Sequence, residues 1–264
     1  MAFAVGSGGV SLYYEQAGEG EPLLLIAGQC CDHREWDRVK DDLKHDFEVI
    51  VWDYRGTGQS DGISPVPFST RGFAADAVSV LDACGHAQAH IYGFSMGGRV
   101  AQWFAIDHGD RLGALVLGAT SPGNRHGVAR APSVDKALRS SDVGALLLTS
   151  FTSEWIKANR ALVDEIVMLW SRPLALHVRD QHFQASQTHD AWDLLPSIQA
   201  PTLIVHGSDD EVNPPMNSVL LAQRIQGAHL RLLQGARHYY FEELRDVASQ
   251  LVRDFCLKHS IANS

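Results

Sequence analysis

The sequence predicts an α/β fold: a mostly parallel central sheet flanked by helices, with one helical segment inserted into it. Short, uninterrupted apolar runs at 23–26, 49–52 and 112–117 are typical of strands buried on both faces. Segments with apolar residues three and four positions apart alternate with these runs, which indicates βαβ units. Between residues 121 and 196 helical patterns follow one another without strands, which indicates the insertion.

Each element follows from a local pattern, taken in chain order. The first strand alternates polar and apolar residues and ends in a glycine-containing turn, whereas the later strands are continuously apolar. The expected strands lie at 9–17, 23–26, 49–52, 89–92, 112–117, 201–207 and 230–233. The expected helices lie near 33–45, 73–81, 95–106, 135–148, 153–170, 174–187 and 241–257.

The interruption divides the chain into a core and an insertion. The turn-forming run Thr120-Ser121-Pro122-Gly123 ends the alternation, and a buried strand returns only at residue 201. We therefore expect residues 1–120 and 197–264 to form the α/β core. Residues 121–196 are expected to form a helical cap inserted into that core.

Composition excludes several classes of function. The chain has 264 residues, 45% of them hydrophobic and 20% charged, and a net charge of −9. This charge argues against nucleic acid or an anionic membrane surface as the main partner. No apolar run approaches the roughly 18–20 residues of a membrane span, and the N-terminus has no signal-peptide pattern. We expect a cytoplasmic protein, and the sequence leaves a homodimer open.

The four cysteines predict neither a disulfide framework nor a metal site. Cys30 and Cys31 are adjacent, Cys84 and Cys256 stand alone, and no C-x-x-C pair exists. Histidines are scattered without metal-ligand spacing, and no phosphate-binding or dinucleotide-binding glycine pattern is present. The sequence therefore predicts no metal and no cofactor.

A glycine-flanked serine lies where a strand meets a helix. The run Gly93-Phe94-Ser95-Met96-Gly97 matches G-x-S-x-G between a buried strand and a helical segment. In that context the serine projects from a sharp turn, and the free N–H groups at the helix start face any negative charge beside its hydroxyl. The pattern predicts Ser95 as a nucleophile, although a glycine-rich turn without chemistry also matches it.

A nucleophilic serine needs a base and an acid, and both should follow strand ends in a parallel sheet. His238 comes directly after the last strand, unlike the other late histidines. Asp210 follows the strand at 201–207 and is preferred over its neighbour Asp209. The order Ser95, Asp210, His238 is the chain order expected for this kind of triad.

The oxyanion formed during acyl transfer needs two N–H donors. The backbone amide of Met96, the residue after the nucleophile, supplies one. The second is expected from Gln29, on the loop that follows the strand at 23–26. These two amides complete the predicted machinery.

With these motifs in hand, the chain resembles the α/β-hydrolase superfamily over nearly its full length. The resemblance rests on 93–98, 53–60, 201–210 and 235–238, and it is strongest to small esterases, enol-lactonases and carbon–carbon hydrolases. It implies Ser95 as nucleophile, Asp210 as acid and His238 as base, with a helical cap before the acid-bearing strand. One departure is that Ala27-Gly28 stands where the family usually has His-Gly.

The substrate pocket is expected between the nucleophile and the cap. Its predicted lining residues are Cys30, Phe94, Trp155, Trp170 and Tyr239. Aromatic side chains at helical spacing are also typical of a packed core, and the two adjacent cysteines can equally be small packed residues. Basic and acidic residues balance within 121–196, so its composition predicts no charge preference for the substrate.

The favoured function is hydrolysis of a small carboxylic ester or lactone without a cofactor, through an acyl-enzyme on the predicted triad. A serine where relatives use aspartate argues against dehalogenase or epoxide hydrolase chemistry. An alternative keeps the triad but cleaves a carbon–carbon bond of a vinylogous diketone, or acts as a haloperoxidase-type perhydrolase. A non-catalytic receptor on the same fold is less favoured, because all three triad residues are present.

Overall fold

The computed structural model describes residues 2–62, 64–140 and 142–261. Eight strands form one sheet in the order β1-β2-β4-β3-β5-β6-β7-β8. The strands are β1 Ala2–Val5, β2 Ser11–Ala17, β3 Glu21–Ile26, β4 Phe47–Trp52, β5 Ala89–Phe94, β6 Leu112–Gly118, β7 Thr202–Gly207 and β8 His229–Leu233. From β4 onward across the sheet every pairing is parallel, while β1–β2 and β2–β4 are antiparallel.

Eleven α-helices accompany the sheet in the described part of the chain. They are α1 Asp37–Leu43, α2 Thr70–Cys84, α3 Met96–Asp107, α4 Pro132–Arg139, α5 Val143–Ser150, α6 Ser153–Ala158, α7 Arg160–Trp170, α8 Leu176–Gln187, α9 Met216–Arg224, α10 Tyr240–Glu243 and α11 Arg245–Lys258. Helix α1 packs against α11, and α2 packs against α3.

The order of the strands explains how helices cover both faces of the sheet. The connection from β3 to β4 through α1 runs toward β1, whereas those through α2 and α3 run toward β8. Because both kinds of crossover are right-handed, opposite directions put the helices on opposite faces. The central strands are consequently buried on both sides, as their continuous apolar sequence predicts.

The N-terminal region differs from the sequence prediction in two ways. A first strand, Ala2–Val5, pairs with β2 at the sheet edge and was not predicted. The strand expected from residue 9 begins at Ser11, because residues 7–9 form a 3₁₀ turn in which Gly8 has a positive φ. A four-residue strand at an exposed edge leaves too short a pattern to recognise.

The long helices expected in the insertion are each broken in two. The segment 135–148 contains α4 and α5, since Ser140 is extended and the Asp142 carboxylate caps α5 by accepting from the Ala145 N–H. The segment 153–170 contains α6 and α7, separated at Asn159, whose side chain donates to the Trp155 carbonyl. Short polar side chains form hydrogen bonds with backbone groups and so compete with the hydrogen bonds of the helix. The spacing of apolar residues does not reveal such helix breaks. The last helix, expected at 241–257, is likewise divided into α10 and α11.

Helices α4 to α8 lie in the chain between β6 and β7, and no strand lies among them in the described residues. The assignment of residues 121–196 to an inserted cap stays a prediction. In the same part of the chain, no helix has both the length and the apolar character to cross a membrane.

Candidate active site

Ser95 lies at a strained turn between β5 and α3. Its backbone has φ 54° and ψ −116°, a conformation that a non-glycine residue adopts only when its surroundings force it. The surroundings are two glycines: a Cβ on Gly93 would lie 2.2 Å from the Gly97 carbonyl oxygen, and one on Gly97 would lie 2.1 Å from that of Ile26. Strand and helix therefore cross almost in contact, and the turn lifts the serine out of the sheet.

The structure brings together the three side chains predicted as a triad. His238 Nε2 lies 3.1 Å from Ser95 Oγ, and His238 Nδ1 lies 2.7 Å from Asp210 Oδ2. Asp210 follows β7 and His238 follows β8, so both side chains stand at the carboxyl edge of the sheet. The hydroxyl, the imidazole and the carboxylate form one continuous chain of hydrogen bonds.

Asp210, rather than Asp209, faces the histidine. Oδ1 of Asp210 accepts from the backbone N–H groups of Val212 at 2.7 Å and Asn213 at 2.9 Å. Burial alone raises the pKa of this carboxyl, but the facing charge of His238 and hydrogen bonds from two histidines hold the pKa well below its ordinary value. Asp209 is exposed and bonds the neighbouring Ser208 hydroxyl instead.

A second histidine, His206, supports the acid and was missed from the sequence. Its Nε2 lies 2.9 Å from Asp210 Oδ2 and 2.7 Å from the Asn213 carbonyl, so this nitrogen is the donor. Its Nδ1 lies 2.5 Å from the Ser218 hydroxyl. Inside an apolar strand, His206 resembles an ordinary core histidine, and only its spacing of four residues from Asp210 hints at the contact.

The loop after β3 faces Ser95. Gln29 lines the same cavity as Ser95 and Met96, as the oxyanion prediction requires. Cys30 in this loop has φ 64°, a left-handed conformation that turns the backbone sharply. The usual family histidine is replaced by Ala27, whose carbonyl accepts from the Tyr54 hydroxyl at 2.8 Å.

A buried carboxyl, Glu35, holds this loop from behind. Its Oε2 accepts from the Gly28 N–H at 2.6 Å, and its Oε1 accepts from the Tyr239 hydroxyl at 2.7 Å. Burial raises the pKa of Glu35, although both hydrogen bonds oppose that rise. Because Tyr239 follows His238 directly, Glu35 ties the loop after β3 to the segment that carries the histidine. Sequence reasoning missed this residue.

A partly open cavity of about 830 Å³ lies above Ser95. We call its core side the floor, formed by the loops after β3, β4, β5, β7 and β8, and its other side the roof, formed by α4, α5, α7, α8 and the loops beside them. Four of the five predicted pocket residues line it: Cys30, Phe94, Trp170 and Tyr239. Trp155 is not among the lining residues, because it lies on α6 and stacks on Phe151 with ring centroids 4.6 Å apart.

The cavity thiols are not competing nucleophiles. Cys30 and Cys31 both line the cavity, so neither is simply a packed core residue. Burial raises the pKa of Cys30 to about 12 and that of Cys31 well above its ordinary value. Both thiols are protonated at neutral pH, and a thiol is a much weaker nucleophile than a thiolate.

One group of side chains in the described residues has the composition of a metal site. Ligand atoms of Asp32, His33 and Asp53 lie within 4.8 Å of one another. They are already engaged: Asp32 pairs with Arg34, while Asp53 accepts from the His33 ring at 2.7 Å and from the Gln59 N–H at 2.8 Å. These contacts explain the cluster as a structural tie between the loops after β3 and β4.

The sheet, the strained serine turn and the order of the elements define an α/β-hydrolase fold. The chain belongs to the family described as serine aminopeptidase, S33, whose profile matches residues 23–245. The fold and the family resemblance expected from the sequence are therefore confirmed, and the protein is a member of a hydrolase family.

Several similar proteins are described as hydrolases, and their substrates differ. The chain is 33% identical over 224 residues to the putative carbamate hydrolase RutD of Pseudomonas savastanoi pv. phaseolicola, with 82% of this chain and 86% of the relative covered. Est816, described as an N-acyl homoserine lactone degrading enzyme, is 28% identical with a TM-score of 0.83, covering 97% of this chain and 100% of its own. The enol-lactonase of Burkholderia xenovorans, 24% identical with a TM-score of 0.83 and coverage of 96% and 99%, supports the fold alone.

Proposed function

We propose that the protein is a cofactor-independent serine hydrolase that cleaves a small carboxylic ester or lactone through an acyl-enzyme. The observation that carries this proposal is the unbroken chain of hydrogen bonds from Ser95 through His238 to Asp210 at the floor of the cavity. Hydrolase relatives of this family support the reaction class, and a lactone-degrading neighbour supports the ester or lactone bond.

In the first half of the reaction His238 Nε2 takes the proton of Ser95 while Oγ attacks the substrate carbonyl. The Nδ1–H of His238 donates to Asp210, which keeps Nε2 free of a proton and stabilises the imidazolium that forms. The tetrahedral oxyanion is held by the backbone N–H groups of Gln29 and Met96, the latter at the start of α3. His238 then protonates the leaving oxygen, and the alcohol departs.

In the second half His238 removes a proton from water, which attacks the acyl-enzyme carbonyl. The same two amides hold the second oxyanion. The Ser95–acyl bond breaks, His238 returns its proton to Oγ, and the carboxylic acid leaves. In a lactone the alcohol and acid remain one molecule, so opening the ring releases a single hydroxy acid.

Under this proposal residues 121–196 act as the cap, since α4, α5, α7 and α8 supply the roof of the cavity. A carbamate is a second candidate, supported by the RutD relatives, because its carbonyl can be attacked by the same serine. Carbon–carbon cleavage, perhydrolysis and a receptor role stay as alternatives. The cytoplasmic location and a homodimer also stay predictions.

The proposal is tested by Ser95→Ala, with Ser133→Ala as a control because Ser133 is exposed and lies outside the cavity. In Ser95→Ala we expect kcat for p-nitrophenyl acetate to fall at least about 10⁴-fold, and we expect no labelling by a fluorophosphonate. Ser133→Ala should keep the kcat and the labelling of wild type. A panel of esters, lactones, carbamates and a dienoic diketone then identifies the bond. Unlabelled Ser95 in folded wild-type protein would favour the receptor, and undiminished turnover in Ser95→Ala would disprove the mechanism.

A further inference from the structure

The cavity has an excess of positive charge that the balanced composition of the insertion does not predict. Six arginines and two aspartates line it. The arginines are Arg34, Arg99, Arg130, Arg139, Arg172 and Arg179, and the aspartates are Asp32 and Asp135. Two pairs cancel, since Asp32 bonds Arg34 and Asp135 bonds Arg139. Among the described residues, the other four arginines have no carboxylate within 4.0 Å.

Arg99 is a buried cation held only by neutral groups. It lies one helical turn after Ser95 on α3 and is 3% exposed. Its guanidinium donates to the Ser186 carbonyl at 2.5 Å and hydroxyl at 3.0 Å, and to the Ser121 hydroxyl at 2.8 Å. Burial lowers the pKa of Arg99 to about 10, with a contribution from the nearby charge of Arg130, so it stays protonated at neutral pH. Burying a charge without a counter-ion is costly.

Arg130 is the second cation of the cavity. It lies on the loop between β6 and α4, is half-buried, and makes no side-chain hydrogen bond or ion pair with the described residues. Burial lowers its pKa, while the charges of Asp135 and Asp210 oppose that change. Arg130 and Arg99 line the same cavity, and the charge of Arg130 contributes to the lowered pKa of Arg99.

We propose that Arg130, together with Arg99, forms a subsite for a carboxylate carried by the substrate. The proposal rests on the proposed hydrolase function, because the subsite and Ser95 share one cavity. A carboxylate would reduce the repulsion between two like charges that line the same cavity, and a guanidinium can donate two parallel hydrogen bonds to it. The substrate class is then a small ester or lactone with a second, anionic end.

A purely structural role explains Arg99 but not Arg130. Through Ser186 and Ser121, Arg99 links α8 in the roof to the loop after β6. That link accounts for its hydrogen bonds, so a variant of Arg99 would disturb the packing of the roof. Arg130 makes no comparable link within the described part of the chain, which makes it the residue to change.

The first test measures preference within one protein. Monoethyl glutarate is compared with the ester in which an isopropyl group replaces the free carboxylate. We expect wild type to favour the glutarate ester by about 10- to 100-fold in kcat/KM, as a charge-assisted hydrogen bond predicts, and Arg130→Gln to lose most of this ratio. Arg160→Gln, which removes the same charge from an exposed site outside the cavity, should keep the ratio.

The second test separates this proposal from the proposed function by measuring binding without turnover. Glutarate is titrated calorimetrically into wild type, Arg130→Gln and Arg160→Gln, with inorganic phosphate as a second anion. Glutarate binding that Arg130→Gln weakens at least about 10-fold supports the subsite even if no ester is cleaved. Equal binding by all three proteins, no binding, or phosphate binding in place of glutarate overturns the subsite. Ester turnover dependent on Ser95 but with no charge preference would overturn the subsite alone.

Discussion

The floor and the roof of the cavity are built by different physics. On the floor, backbone contacts hold the reactive groups: Gly93 and Gly97 leave no room for a Cβ, and Asp210 is held by two backbone amides. The roof consists of short helices, and α5, for example, begins after Asp142, whose carboxylate accepts from the Ala145 N–H. Under the proposed function, the floor defines how a bond is attacked, whereas the roof determines which molecule fits. Variants of each side should consequently affect different kinetic constants.

The largest effect that separates the two sides is expected at Asp210. In Asp210→Asn the side chain loses the charge that stabilises the His238 imidazolium, so we expect kcat for p-nitrophenyl acetate to fall about 10⁴-fold with little change in KM. Asp209→Asn is the matched control, since Asp209 is exposed and its carboxylate accepts from the neighbouring Ser208 hydroxyl. A loss shared equally by both variants would show that the acid is wrongly assigned.

The same carboxyl gives a pH signature for the free energy of unfolding. The pKa of Asp210 is lowered on folding, so its ionised form stabilises the native state above the ordinary pKa of about 3.9. This stabilisation is lost as pH falls below that value. In urea unfolding, wild type should therefore have a higher free energy of unfolding than Asp210→Asn at pH 6, and this difference should become smaller toward about pH 3. A difference in the free energy of unfolding that does not change with pH would contradict the lowered pKa of Asp210.

The floor could be predicted from the sequence because its constraints are local. A serine between two glycines after an apolar strand leaves one conformation, and strand ends alone place Asp210 and His238 at the same edge. Glu35 could not be found this way. Its burial depends on Tyr239, which is 204 residues away in the sequence, and nothing near Glu35 distinguishes it from an exposed helix residue.

The roof resisted prediction for a different reason. Trp155 and Trp170 both read as apolar positions of one long helix, yet they lie on two helices, and only Trp170 reaches the cavity. The helix break at Asn159 separates them, and there the Asn159 side chain donates to the Trp155 carbonyl. The charges of the insertion were unpredictable for a similar reason. Basic and acidic residues balance within 121–196, but the composition does not show that several of its arginines line the cavity.

An intermediate effect is expected at Glu35, which supports two loops of the floor from behind. In Glu35→Gln the side chain can no longer accept from both Gly28 and Tyr239, so the loop carrying the Gln29 amide shifts. We expect kcat to fall about 10-fold, less than the roughly 10²–10³-fold loss of a whole oxyanion donor. Glu154→Gln, on the exposed face of α6, should behave as wild type.

The pH dependence of this variant has the opposite sign to that of Asp210. Because folding raises the pKa of Glu35, its contribution to the free energy of unfolding is complete below the ordinary value of about 4.3 and is lost as pH rises through the raised pKa. The side chain in Glu35→Gln cannot ionise, so the free energy of unfolding of this variant should not show that decrease with rising pH. Urea titrations from about pH 4 to pH 8 measure it. Parallel curves for wild type and the variant would mean that Glu35 is not buried against Gly28 and Tyr239.

The smallest effect should distinguish the two tryptophans of the insertion that were predicted to line the pocket. Trp170 lines the cavity beside Tyr239, with ring centroids 5.3 Å apart, so Trp170→Leu removes an apolar wall from the substrate site. We expect KM for a neutral aryl ester to rise about 3-fold with kcat nearly unchanged, which corresponds to the loss of one aromatic contact.

Trp155→Leu is the matched change on α6. It removes the stacking of Trp155 on Phe151, outside the cavity, so the free energy of unfolding should fall by about 1 kcal/mol while KM stays constant. Steady-state kinetics and urea unfolding on both variants measure the two quantities side by side. If Trp155→Leu instead raised KM as much as Trp170→Leu, α6 would also contact the substrate. The roof of the cavity would then include α6.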